Sequence, residues 1–430
     1  MLKHSSKNSQ LLNKILLTVL ILAFYRIGSF IPLPFVDAST LSSFSDKISQ
    51  GVFGMFDMLS GGSLSRMSVF ALGIVPYITS SIVVQLLVAS VDSLKSLKQE
   101  GESGQIKINQ YTRYLCLGIS FLQGYAIAST LGVSNMFVGL ENYGTLHQKL
   151  VVAITLSTGT FLLLWLGEKI TSKGIGNGAS LIIFTGIVTE FPKVFISIFE
   201  LSRSGAISPF VVIIFVALVI GSIAFVVFSE KSYRIIKIQH HGKRLMQGNQ
   251  KGMLNELPLK INPPGVIPPI FASSLLLLPA TILSFTANSE SQILQTIAFS
   301  FGHGKPLFVI FYIALIMFFT FFYTEIVFNI KEIANNFRKS NYFINGIRPG
   351  ESTTKFLQAT MKKLCFIGGS YLSIVCVIPE IFAAQYGQSM IIGGTSILII
   401  VNVITDTFAQ IQSYLLSSKY NKFLTKVKNK

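Results

Sequence analysis

The chain alternates between long apolar runs and polar breaks. Ten runs stand out, at about Leu12–Pro32, Met67–Ala89, Tyr114–Leu131, Leu150–Leu166, Asn177–Phe199, Pro209–Phe228, Gly265–Phe285, Leu307–Phe328, Leu364–Phe382 and Met390–Gln412. A helix needs about 20 mostly apolar residues to cross a bilayer. The pattern therefore predicts an all-α, polytopic membrane protein with ten transmembrane helices. An even number of spans puts both termini on one side. The first run continues to about Pro32 without a small-residue cleavage site, so it is expected to be a span rather than a removable signal. Ten spans also divide into two halves of five, and an odd number per half gives inverted halves.

One apolar segment is too short to span. Gly51–Ser63 is broken by Gly51, Gly54, Gly61 and Gly62. A segment of this length suits a re-entrant or interfacial piece. Irregular backbone at membrane depth persists only when buried in protein or lining an aqueous cavity. The segment therefore predicts a cavity.

Composition agrees with the pattern. Half of the 430 residues are hydrophobic and 12% are charged, against roughly 25% charged in a soluble domain. That argues against a soluble enzyme and a disordered chain. The net charge of +17 would suggest nucleic acid as the partner of a soluble protein. Here its distribution gives another reason. Of 35 Lys and Arg, 28 fall in segments on the side of the termini, six fall on the other side, and Arg26 lies within the first run. The positive-inside rule then places both termini in the cytoplasm. Two cytoplasmic loops, Ser229–Pro263 and Asn329–Lys363, are long and carry seven basic residues each. Orientation alone needs less, so they suggest docking of an acidic or RNA-containing partner.

Catalytic and cofactor chemistry is sparse. No G-x-x-x-x-G-K-[ST] phosphate loop occurs. Gly174-Ile-Gly-Asn-Gly178 opens an apolar helix with no strand before it. His240 and His241 lack a carboxylate or cysteine at ligand spacing. No metal, cofactor or enzymatic activity is expected. Cys116, Cys365 and Cys376 are read as apolar packing residues. Ionisable residues inside the spans mark function by default; the main ones are Arg26, Glu325 and Asp406. A solute carrier coupled to protons or sodium would need a polar centre. The aliphatic centre favours a passage sealed by apolar side chains, which gates by dewetting. An inverted-repeat secondary transporter for a small solute stays as the alternative. A membrane-embedded enzyme would show clustered His, Asp, Glu or Ser in the spans.

Several ordered stretches resemble the SecY family, the central pore subunit of the bacterial-type Sec protein translocase. They are Arg26-Ile-Gly-Ser-Phe-Ile-Pro-Leu-Pro34, Ser60-Gly-Gly-Ser-Leu-Ser-Arg66 with Phe70-Ala-Leu-Gly-Ile-Val-Pro-Tyr-Ile78, and Glu100-Gly-Glu-Ser-Gly104. Further along come Gly167-Glu-Lys-Ile-Thr-Ser-Lys-Gly-Ile-Gly-Asn-Gly178, Pro264-Gly-Val-Ile-Pro-Pro-Ile-Phe-Ala-Ser-Ser274, Gly346-Ile-Arg-Pro-Gly-Glu351 and Gly393-Gly-Thr-Ser396. The resemblance implies two five-helix halves, 1–200 and 201–430, around a central hourglass pore. It places an aliphatic pore ring on Ile74, Ile78, Ile183, Ile187, Ile270 and Ile399. It places a displaceable plug on about 52–62, with Phe53, Gly54, Met55, Phe56, Met58, Leu59, Gly61 and Gly62. Spans two and three would face spans seven and eight across a lateral gate. Partner docking would fall on Arg348 in the second basic loop and on Arg234, Lys243 and Arg244 in the first. The implied partners are the small subunits SecE and SecG, the motor ATPase SecA, the ribosome, accessory proteins of the SecDF and YidC type, substrate preproteins and membrane lipids. The implied location is a bacterial inner membrane, or an organelle-encoded equivalent. The chain departs from the family pattern at Phe35, where a glycine is usual, at Asn345, where a proline is usual, and at Pro264, Pro269 and Glu325.

Overall fold

A computed structural model of the chain describes residues 5–36, 57–133, 145–205, 207–240, 255–285, 306–386 and 393–428. Each of the ten apolar runs has a described helix over most of its length. These helices are α1 (Ser5–Gly28), α2 (Val75–Ser90), α4 (Glu102–Val133), α5 (Thr145–Lys173), α6 (Gly178–Arg203), α7 (Pro209–Glu230), α8 (Ile267–Phe285), α9 (Pro306–Val327), α11 (Glu351–Tyr386) and α12 (Gly394–Lys428). Two short helices lie between them, α3 (Asp92–Gln99) and α10 (Ile330–Lys339). Among the described residues, seven helices are long and apolar enough to cross a membrane. The pair α2–α3, bent by 98° at Val91, makes an eighth if counted as one broken span. The chain is thus a multi-pass membrane protein. In α8 the apolar stretch Ile267–Leu276 is shorter, and α4 begins as a polar helix that becomes apolar toward its end.

Local chemistry sets several helix ends. Asn177 caps α6 by accepting from the Ala179 and Ser180 amides. Asn329 caps α10 through the Glu332 amide. Pro209 opens α7 and Pro76 lies in the first turn of α2, where a missing N–H costs nothing. The α5–α6 turn depends on glycine: a Cβ on Gly178 would lie 1.9 Å from the Gly167 carbonyl oxygen.

Two apolar cores run through the helices. One is built mainly from α1, α2, α4, α5, α6 and residues 59–75, joined by Ile399 and Val403 of α12. The other is built mainly from α7, α8, α9, α11 and α12, joined by Ile82 of α2 and Ile198 of α6. Helix α8 packs against α9 on one side and against α2 and α4 on the other. The three cysteines are free and buried.

The hydropathy pattern did not anticipate a sheet. Strands β1 (Tyr233–His240), β2 (Asn255–Lys260) and β3 (Tyr342–Ile344) form an antiparallel sheet in the order β2-β1-β3. The register pairs Arg234 with Leu259 and Ile238 with both Asn255 and Ile344. Pro258 lies on the edge strand β2, where an absent donor is tolerated. The sheet unites the two basic loops. Ile236, Leu259 and Ile344 pack on Leu357, Met361 and Leu364 of α11 in a separate small core.

Candidate functional site: an apolar waist with a seated loop

The six isoleucines expected to form a ring come from four helices and meet in one cluster. Ile74 precedes α2, and Ile78 lies one turn into it. Ile183 and Ile187 share a face of α6, being four residues apart. Ile74, Ile183, Ile187 and Ile399 are buried in the first core, and half-buried Ile78 and Ile270 pack against it. Ile78 and Ile270 also pack against the second core. Ile78 and Ile270 therefore lie at the seam between the two cores, and the other four lie in the first.

A small, partly open cleft is lined in part by this cluster. Ile183, Ile270 and Ile399 form part of its wall, together with Val266 and Val403. Asn177, Ser180, Asn402, Asp406 and Thr407 supply the polar part. Asp406, noted in the sequence as a charge within a span, thus faces this cleft. Glu325 is exposed at the end of α9.

Part of the predicted plug is described. Met58 packs against both cores, and Leu59 is buried in the first. The Ser396 hydroxyl lies 3.5 Å from the Met58 sulfur. Phe53, Gly54, Met55 and Phe56 lie outside the described residues. After one helical turn at 57–59 the chain reverses through Gly61 and Gly62, with φ of +68° and +72°. Left-handed backbone of this kind favours glycine. Space demands it too: a Cβ on Gly61 would lie 2.7 Å from the Gly186 Cα.

Polar contacts seat this loop. The Asp57 carboxylate accepts from the Leu64 and Ser65 amides, each at 2.9 Å, and from the Ser65 hydroxyl. Burial pushes the Asp57 carboxyl up from its ordinary range, and the Ser65 and Leu64 donors pull against that rise. Tyr25 donates its hydroxyl to the Ser60 carbonyl at 3.1 Å. Arg26 and Arg66 both donate to the Gly61 carbonyl, at 3.3 and 2.7 Å. Both guanidinium groups also lie over the Phe30 ring, at 5.3 and 4.7 Å. Arg26, an isolated charge in the sequence, thus has a structural partner. Glu190 pairs with Lys193 at 2.7 Å and stands against Gly62. Sequence reasoning missed Glu190, although an acid inside an apolar run was the available signal. Phe35, where the family pattern has glycine, has a φ of +65°.

The docking candidates lie elsewhere. Arg234 is exposed on β1, and Arg348 is exposed on the turn after β3. That turn uses Gly346 and Gly350 at φ of +80° and +107°. It is closed by the Thr353 hydroxyl, which donates to the Arg348 carbonyl at 3.0 Å. Lys243 and Arg244 lie outside the described residues.

A family model for SecY matches residues 68–408. The chain belongs to the SecY family. A SecY relative from Rickettsia bellii, named protein translocase subunit SecY, is 48% identical over 429 residues, covering 99% of each chain. Among solved structures, one titled as a protein-conducting channel matches with a TM-score of 0.67 at 19% identity, covering 94% of this chain and 93% of that one. The Sec61 channel of a canine ribosome-channel complex matches with a TM-score of 0.63 at 18% identity, covering 94% and 93%. The SecY fold is therefore shared from α1 to α12.

Proposed function

We propose that this chain is the protein-conducting channel subunit of a Sec translocase. It passes unfolded, signal-sequence-bearing polypeptides across the membrane and releases transmembrane segments sideways into lipid. It acts as a channel and not as an enzyme, with energy from a partner ATPase or a ribosome. The observation that carries this reading is that six isoleucines from four helices pack in or against one core, Ile78 and Ile270 at its seam with the second, with Leu59 in the same core and Met58 against both. Apolar side chains at a constriction exclude water and ions until a chain displaces them.

The two cores support a division into halves near residue 200. Contact of α8 with α2 and α4 supports a closed lateral gate there. An apolar segment of about 20 residues gains by leaving such a gate into lipid. The loop sheet and its following turn, bearing Arg234 and Arg348, support docking of SecA or a ribosome, and the solved relative in a ribosome-channel complex supports a ribosome as partner. SecE and SecG would complete the complex, and SecDF or YidC type proteins would join it. The 28-to-6 charge split supports a bacterial inner membrane with both termini cytoplasmic. The relatives are named as protein translocase subunits, which leaves the solute carrier without support.

The test is reconstitution of the purified complex into proteoliposomes with SecA, ATP and a preprotein. The reading expects signal-dependent protection of the preprotein from external protease. Equal protection without a signal sequence, or none with it, would overturn the reading.

A further inference from the structure

Away from the waist, a buried carboxylate joins three elements. Glu230 is the last residue of α7 and is 5% exposed. Tyr371 of α11 donates its hydroxyl to Glu230 Oε1 at 2.6 Å. Asn262, just after β2, donates its amide to the same oxygen at 2.7 Å. The Asn262 nitrogen also reaches the Gly265 carbonyl at 2.9 Å and the Tyr371 hydroxyl oxygen at 3.1 Å. Asn262 Oδ1 is buried without a partner. No ion pair to Glu230 occurs among the described residues.

The placement matters more than the contacts singly. The β1–β2 hairpin closes at its base where the Ile261 amide donates to the Ser232 carbonyl at 3.2 Å. Next along the chain, Asn262 is held by α7 and α11. Gly265 turns at φ +63°, and α8 starts at Ile267. Ile270 of the waist lies one turn further. Helix α11 comes close because Gly368 has no side chain: a Cβ there would lie 2.9 Å from the Ile261 carbonyl. The hairpin therefore reaches α8 through a strap of six residues, 261–266, anchored on a buried carboxylate.

We infer that Glu230, Asn262 and Tyr371 are positioning residues that transmit movement of the loop sheet to α8, and so couple docking to opening of the waist. A buried carboxylate without a cation depends on its hydrogen-bond donors. Shearing the hairpin away from α7 and α11 would strip those donors and leave the charge unsatisfied. Movement of the strap with α8 keeps them. The inference rests on the translocation reading above.

The test uses the reconstituted complex with SecA as the docking probe. SecA affinity, preprotein transport at saturating SecA and resting ion leak are measured for the parent, Tyr371→Phe, Glu230→Ala and Glu230→Gln. Affinity and leak should stay within about twofold of the parent. Transport should fall about tenfold in Tyr371→Phe and Glu230→Ala, the scale of a lost hydrogen bond to a charged group. Glu230→Gln keeps an acceptor oxygen and should recover most of it. In a chain also carrying Ile187→Asn, whose waist is already loosened, the Tyr371→Phe deficit should shrink to less than twofold. Loss of affinity in step with transport would make the cluster a support of the hairpin alone and overturn the coupling. Unchanged transport, or an undiminished deficit beside Ile187→Asn, would also overturn it. Absence of transport in the parent would instead refute the translocation reading.

Discussion

The apolar waist and the loop sheet make opposite uses of side chains. At the proposed waist, isoleucines from four helices pack in or against the first core, and the loop at 57–66 is seated by hydrogen bonds to its backbone. In the sheet, Ile236, Ile238, Leu259 and Ile344 are packed away, while Arg234 on β1 and Arg348 on the turn after β3 are exposed. A seal needs convergence on one place, whereas a docking surface needs charge held on a firm frame. Damage to the seal should therefore leave docking intact, and loss of a docking charge should leave the resting seal intact.

The largest separation should come from Gly61→Val. It forces a β-branched residue into left-handed backbone and against the Gly186 backbone. Strain and overpacking together cost about 3 kcal/mol. The unseated loop should raise resting ion conductance in planar bilayers by about 100-fold, with SecA binding unchanged. Ile187→Asn comes next. It puts an amide where the side chain is fully buried, at a cost of about 1–3 kcal/mol. Conductance should rise about tenfold, and preproteins with weakened signal sequences should be exported better. Parental leak and parental signal stringency would remove Ile187 from the seal. Arg348→Glu probes the other region. SecA-driven transport should fall about tenfold, the loss expected when a docking charge is reversed, while leak and membrane insertion of the subunit stay normal. The smallest effect belongs to Asn341→Ala, because Asn341 has a φ of +54°. About 1 kcal/mol of local strain should speed amide exchange across Tyr342–Ile344 roughly fivefold without changing the leak.

The helices were legible because the apolar runs are long and little in them competes with a helix. The seam position of Ile78 and Ile270 was not readable from spacing; the family resemblance supplied those residues, and the fold brought them together. Gly61 and Gly62 marked a turn correctly, since positive φ is what glycine makes cheap. The sheet went unread because its strands are short and β1 mixes charges with isoleucines. The third strand joins only by pairing across more than 100 residues, as between Ile238 and Ile344. Glu190 and Glu230 went unread for a related reason. Their partners, Lys193 excepted, come from other elements, so the sequence shows the charge and not what satisfies it.

The most direct test of the central claim is cross-linking from a translocating chain. A preprotein stalled midway and carrying a thiol-reactive probe is added to complexes with a single new cysteine, after the native three are replaced. The account predicts that cysteine at Ile78 or Ile187 reacts with the stalled chain, and that cysteine at Phe228, 73% exposed on α7, does not. Reaction at Phe228 with none at Ile78 or Ile187 would contradict it.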